Sequence, residues 1–144
     1  LARTIWLNII GTITSALAVC LLCSITASAK AATNTTYAST PSAKGTGSIT
    51  ISSKSATAKT SATADSNAQI NGVSVTATFE YGVGNEIETV SKQDGVDGDS
   101  KSVTVTAPYT YVTAISATGD HYYAAYNRKT GEGESASWSS YITP

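Results

Sequence analysis

A single histidine, His121, follows Asp120 directly in a chain crowded with serines, so the first chemistry to weigh is a nucleophilic triad. A triad needs a carboxylate that orients the imidazole and an imidazole that faces the hydroxyl. Neighbours on an extended segment point to opposite faces, so Asp120 does not orient His121. No G-x-S-x-G turn presents a serine either. His121 is expected as an ordinary histidine at the start of a strand. A zinc site needs three or four His, Cys or carboxylate ligands. The chain has no second His, and its two cysteines, Cys20 and Cys23, lie within an apolar run. Their C-x-x-C spacing suits redox chemistry only in a thioredoxin-like setting; here it reads as two small apolar side chains.

Three carboxylates, Asp94, Asp97 and Asp99, lie in the segment DGVDGDS. Interspersed with glycines, they could wrap a calcium ion, which takes about six to eight oxygen ligands. The spacing is not that of an EF-hand, and Asp-Gly is turn chemistry in its own right, so an acidic hairpin loop is the expectation. Glu80, Glu86 and Glu88 would be the carboxylates of a glycosidase, but alternation puts Glu86 and Glu88 together on one solvated face. The residues expected to matter are aromatic: Tyr109, Tyr111, Tyr122, Tyr123, Tyr126, Trp138 and Tyr141. Such rings either fill a core or offer rigid contact area to a sugar or protein. Tyr122 and Tyr123 must face opposite ways on a strand, so one packs inside and one meets solvent. The sequence thus points to no catalytic residue, no cofactor and no metal, and to a binding face drawn from these rings.

The elements that must position them read as β throughout. Val73, Val75, Ala77, Phe79 and Tyr81 alternate with Ser74, Thr76, Thr78 and Glu80, the pattern of a strand with one face buried. Val103, Val105 and Ala107 repeat it. A third strand starts at Ile49 and Ile51 and runs through Ala56, Ala58, Ala62 and Ala64, with a bulge or break where the parity switches near Ser53. The segments 86–91, 111–117, 121–126 and 136–142 bring the expectation to about seven strands. Asn71-Gly72, 82–85, 94–99, Gly119-Asp120 and 131–133 are the expected turns. With no helical segment between strands, the fold class is all-β, an antiparallel sandwich of immunoglobulin-like general architecture. Its core should be thin, because alanine-lined strands bury little apolar surface.

Composition divides the chain. All five leucines and both cysteines fall before residue 24, and Met is absent throughout. From Thr4 to Ile25 no residue is charged; Arg3 precedes the run and Lys30 follows it. A positive start, an apolar stretch and the small-residue sites Ala27-Ser28-Ala29 and Ala29-Lys30-Ala31 form the layout of a secretory signal peptide over residues 1–31. Its alternatives are a retained membrane or filament helix, since the run is long enough to span a bilayer, and a lipoprotein signal at Cys20. The lack of an initial Met suggests an alternative start codon or a start further upstream. Residues 32–47, small and polar with Pro41, Gly45 and Gly47, are expected as a flexible leader, and 48–144 as the β-domain. Asn34-Thr35-Thr36 fits the N-glycosylation pattern.

Without the first 31 residues, seven of the nine cationic side chains remain against ten carboxylates. Lys and Arg are scattered, which argues against nucleic acid and against anionic lipid; membrane contact would come only through residues 4–25 if uncut. The leader, the alternating strands and the Tyr-rich end are similar to small secreted β-proteins of Gram-positive bacteria. Through SATGDHYYAAYN and SASWSSY the chain resembles the lactococcin 972 bacteriocins, a family of small secreted cysteine-free β-sandwiches. That resemblance implies an extracellular protein and assigns no functional residue. The expectation is a secreted or cell-surface, non-catalytic sandwich that binds cell wall, glycan or protein. A bacteriocin-like toxin and a pilin-like filament subunit are the alternatives. The exported form should begin at Lys30 or Ala32, as read by intact mass on culture supernatant; residues 1–29 on an assembled extracellular form would favour the filament.

Overall fold

The computed structural model describes residues 31–144. The expected signal helix, the cleavage site Ala27-Ser28-Ala29, Cys20 and Cys23 lie outside the described residues, and of the site Ala29-Lys30-Ala31 only Ala31 lies within them. The rest is all-β: β1 (Ala32–Ser39), β2 (Ala43–Ile51), β3 (Ser55–Ala64), β4 (Ala68–Val83), β5 (Glu86–Gly95), β6 (Ser100–Thr106), β7 (Thr113–Asn127) and β8 (Glu132–Ile142). Two four-stranded antiparallel sheets face each other as a sandwich, ordered β1-β2-β3-β6 and β5-β4-β7-β8. The chain therefore crosses between sheets after β3, β5 and β6.

The leader expected at 32–47 is instead β1 and the first half of β2, paired residue for residue from Ala32↔Ile51 to Ser39↔Lys44. This adds an eighth strand and starts the β-domain at Ala32. Gly45 and Gly47 explain why the stretch passes for a linker. Both sit at inward positions of β2, where a side chain is impossible. A Cβ on Gly45 would run into the rings of Trp138 and Tyr123, and one on Gly47 into the ring of His121. Glycine inside a strand here marks close approach of the opposite sheet.

Other punctuation changes meaning in the same way. The parity switch near Ser53 is a hairpin, not a bulge. The Ser52 amide donates to the Ser55 carbonyl at 2.9 Å, and the two hydroxyls meet at 2.8 Å. Asn71-Gly72 is a register shift within β4, not a turn. A Cβ on Gly72 would strike the backbone carbonyl of Val96 in the loop above it. Gly119-Asp120 lies inside β7, which joins the two segments expected at 111–117 and 121–126. Gly119 is needed because a Cβ there would crowd Ser140 Oγ at 2.9 Å and the His121 ring at 3.0 Å. Gly84-Asn85 is a true two-residue hairpin turn, with Gly84 at φ 60°.

The apolar interior comes in two clusters. The larger gathers Ile49, Ile51, Val75, Phe79, Tyr81 and Val105 with small alanines between them. The smaller, toward the other end, centres on Val73 and Tyr123 with Trp138 packed against it. Phe79 and Tyr81 stack at 5.4 Å, and Trp138 meets Tyr123 edge-on at 5.9 Å. Because Gly47 has no room to spare, Gly47→Ala should destabilise by about 1–3 kcal/mol through overpacking. Lys44→Ala, on the outer face of the same strand, should stay within about 0.5 kcal/mol, with urea unfolding as the measurement.

Candidate functional site

His121 is not at the start of a strand but in the middle of β7, pointing inward and 2% exposed. Its Nδ1 lies 2.8 Å from Thr60 Oγ1 on the opposite sheet, and its Nε2 lies 2.8 Å from Ser140 Oγ on the neighbouring strand. Thr60 and Ser140 are equally buried. Trp138 covers one side of the ring at 5.3 Å. A neutral imidazole has one donor and one acceptor nitrogen, and each hydroxyl can take the complementary role, so the layer is satisfied without charge. Burial holds the imidazole down to a pKa of about 4, against the weak upward pull of Asp120. Asp120 itself stands on the outer face, where its carboxylate accepts from Ser139 Oγ at 2.7 Å. The Ser140–His121 pair has the spacing of a nucleophile and its base, but it is sealed between the sheets and has no orienting carboxylate.

The seven aromatic candidates separate into three places. Tyr123 and Trp138 belong to the interior, where the Tyr123 hydroxyl donates to the Ala43 carbonyl at 3.1 Å. Tyr109 and Tyr111 lie in the β6–β7 connection at one end of the sandwich. Tyr122, Tyr126 and Tyr141 stand on the outer face of the second sheet. The pleat explains the last group. Tyr122 and Tyr126 are four residues apart on β7, and Tyr141 on β8 is opposite Thr118, four residues before Tyr122. Tyr122 and Tyr126 are therefore about 13 Å apart along β7, and Tyr141 extends the row by about the same step on the adjacent strand. Around Tyr122, the side chains of Ser74, Thr76, Asp120, Ser137 and Ser139 line a shallow groove of about 330 Å³. Between the rings, then, there are small hydroxyls, the methyl of Ala124 and one carboxylate, and nothing bulky.

The end of the sandwich forms a different surface. Both the Tyr81 and Tyr109 hydroxyls donate to the Glu88 carboxylate, at 3.1 and 3.2 Å. Burial and that carboxylate raise the Tyr81 phenol, and the carboxylate raises the Tyr109 phenol, so both remain donors. Glu88 is thus a structural acceptor rather than a solvated charge; Glu80 likewise accepts from Ser116 Oγ at 2.7 Å. With Tyr109 tied down, Tyr111 stands 88% exposed over a cleft of about 720 Å³ that also holds Ile87, Val112 and Ile115.

The acidic segment forms the β5–β6 loop, Val96–Asp99. Asp97 pairs with Lys101 four residues on, which holds its carboxyl below the usual range. Among the described residues no group of three His, Cys, Asp or Glu side chains is placed to hold a metal ion. The Asn34 side chain donates to the Tyr141 carbonyl at 2.8 Å, so the amide a glycan would occupy is engaged with β8.

No protein-family model matches the chain, and no curated protein or solved structure matches it.

The buried layer makes stability depend on pH. The folded state keeps His121 neutral down to about pH 4, whereas the unfolded chain takes up its proton near 6.5. The unfolded state binds the extra proton in between, so stability is complete above about pH 6.5 and falls as the pH drops toward 4, by roughly 3 kcal/mol in all. Urea unfolding at a series of pH values should show this slope, and His121→Gln should flatten it. Tyr123→Ala should cost about 3–5 kcal/mol at any pH.

Proposed function

We propose that the protein is a secreted or cell-surface, non-catalytic sandwich that binds a cell-wall or related glycan through the outer face of its second sheet. The observation that carries this reading is the row of Tyr126, Tyr122 and Tyr141 on one sheet face, separated only by small side chains and Asp120. A pyranose ring has an apolar face of C–H groups and an equatorial rim of hydroxyls. Tyrosine rings meet the first with rigid area at low entropy cost. The Asp120 carboxylate and the surrounding hydroxyls meet the second, with acceptors and donors close together. A regular sheet holds these groups more rigidly than loops would. The orders β2-β3-β6 and β5-β4-β7-β8 support reading β2 to β8 as a seven-stranded sandwich of immunoglobulin-like general architecture. On that reading β1 is an additional strand outside it.

Tyr122→Ala, Tyr126→Ala and Tyr141→Ala should each leave stability within about 0.5 kcal/mol and weaken retention on purified cell wall by about tenfold or more. Tyr111→Ala, at the end of the sandwich, should bind as the parent does. Loss of binding in Tyr111→Ala with none in the three sheet variants would overturn the sheet-face reading in favour of the end cleft.

A further inference from the structure

A strand at the margin of a sheet exposes a row of unpaired amides and carbonyls, and proteins protect such margins with charge, proline or bulges. This sandwich has four marginal strands, β1, β6, β5 and β8. Three of them are charged: Lys101 on β6, Glu86, Glu88, Lys92 and Asp94 on β5, and Glu132 and Glu134 on β8. β1, Ala-Thr-Asn-Thr-Thr-Tyr-Ala-Ser, carries no charged residue, no proline and no glycine, and it pairs with β2 over all eight residues without a register shift. Among the described residues no other strand pairs with its outer margin. Its outward-facing side chains are Thr33, Thr35, Tyr37 and Ser39, with Tyr37 74% exposed.

We infer that β1 pairs with β1 of a second copy of this chain, antiparallel about a twofold axis, joining the two first sheets into one of eight strands. Neutrality is what favours a second copy. Self-pairing sets a strand against its own charges, and β1 has none to repel. Symmetry then restricts the register. A twofold axis perpendicular to a continuous sheet must place one residue opposite its own equivalent, because neighbours on a strand face opposite ways. The two registers that use nearly all of β1 centre on Thr35 or Thr36. Centring on Thr36 sets Tyr37 beside Thr35 of the partner subunit but leaves Thr33 beside the partner's Ser39. Centring on Thr35 sets Tyr37 beside Thr33 of the partner subunit, twice over, and Thr35 beside its own equivalent, so that every outward pair is aromatic or β-branched. Aromatic and β-branched side chains form favourable cross-strand pairs. This register is therefore the one assigned. The pairing makes no use of the tyrosines on the second sheet, so it stands or falls separately from the glycan reading.

The test is sedimentation equilibrium on the protein isolated from cells expressing the full-length chain, together with two cysteine variants. A concentration-dependent monomer–dimer equilibrium is expected. Thr35→Lys, which sets two like charges together at the axis, should shift it at least tenfold toward monomer with no change in melting temperature of the monomer. On mild oxidation Thr35→Cys should crosslink as a dimer, while Thr33→Cys, about 13 Å from its equivalent by strand rise, should not. A monomer at all concentrations, an open-ended polymer, a dimer indifferent to Thr35→Lys, or equal crosslinking at both positions would each overturn the assignment.

Discussion

The distance between the two sheets at the centre of this molecule is set by a steric interlock between glycines and rings. Gly45 and Gly47 leave the inner face of β2 bare, and His121, Tyr123 and Trp138 of the second sheet fill the space. Protein interiors are packed as densely as organic crystals, so neither partner can change alone. The rest of the interior follows from this arrangement. Where β2 carries Ile49 and Ile51 instead of glycine, the opposite sheet answers with valines, alanines and the Phe79–Tyr81 stack, and the larger apolar cluster forms. A core poor in long aliphatic side chains is thus filled by a few rings, each in a place made for it.

The Thr60–His121–Ser140 layer lies across the boundary between the two clusters and ties both sheets together at one level. Its two hydrogen bonds run from a single imidazole to opposite sheets. Buried polar groups tolerate very few arrangements, because each unpaired donor or acceptor costs about 1–3 kcal/mol. A slip of β7 by one residue would put His121 outside and Asp120 inside. The layer therefore holds the facing of β7, and with it the line of tyrosines on the outer surface. The polar interior and the outer face are two consequences of one register.

Much of this was readable from period-two patterning. Val73 to Tyr81 and Val103 to Ala107 declare their strands and their inner faces without ambiguity. The opposition of Tyr122 and Tyr123, and of Asp120 and His121, follows from the pleat alone. The residues at 32–47 mislead because a strand made of Ala, Thr, Asn and Ser buries too little to show a periodic signal. Gly45 and Gly47 have meaning only beside rings that lie about 75 to 90 positions later. The partners of His121 had no local signal either: Thr60 is 61 residues away and Ser140 is 19 away. The number of aromatic candidates was legible, but not their division among interior, end cleft and sheet face. That division depends on the β7–β8 register, which places Tyr141 in line with Tyr122.

The order of strands has a consequence for how the chain reaches this state. β1 to β3 form a meander, and β4 and β5 a hairpin, from neighbouring sequence alone. The second sheet, however, is completed only when β7 seats beside β4, which joins Ala68 to Asn127. Contacts of such separation carry a large loop-closure cost before they are rewarded, and folding dominated by them is slow. Until Asn127 is available, β4 shows a bare margin of Val, Ala, Phe and Tyr, and the glycines of β2 face no rings. A chain cut short anywhere before β7 would keep the sticky part of the fold and lose the part that covers it. Among the described residues, β7 and β8 thus cover what the strands before them leave exposed.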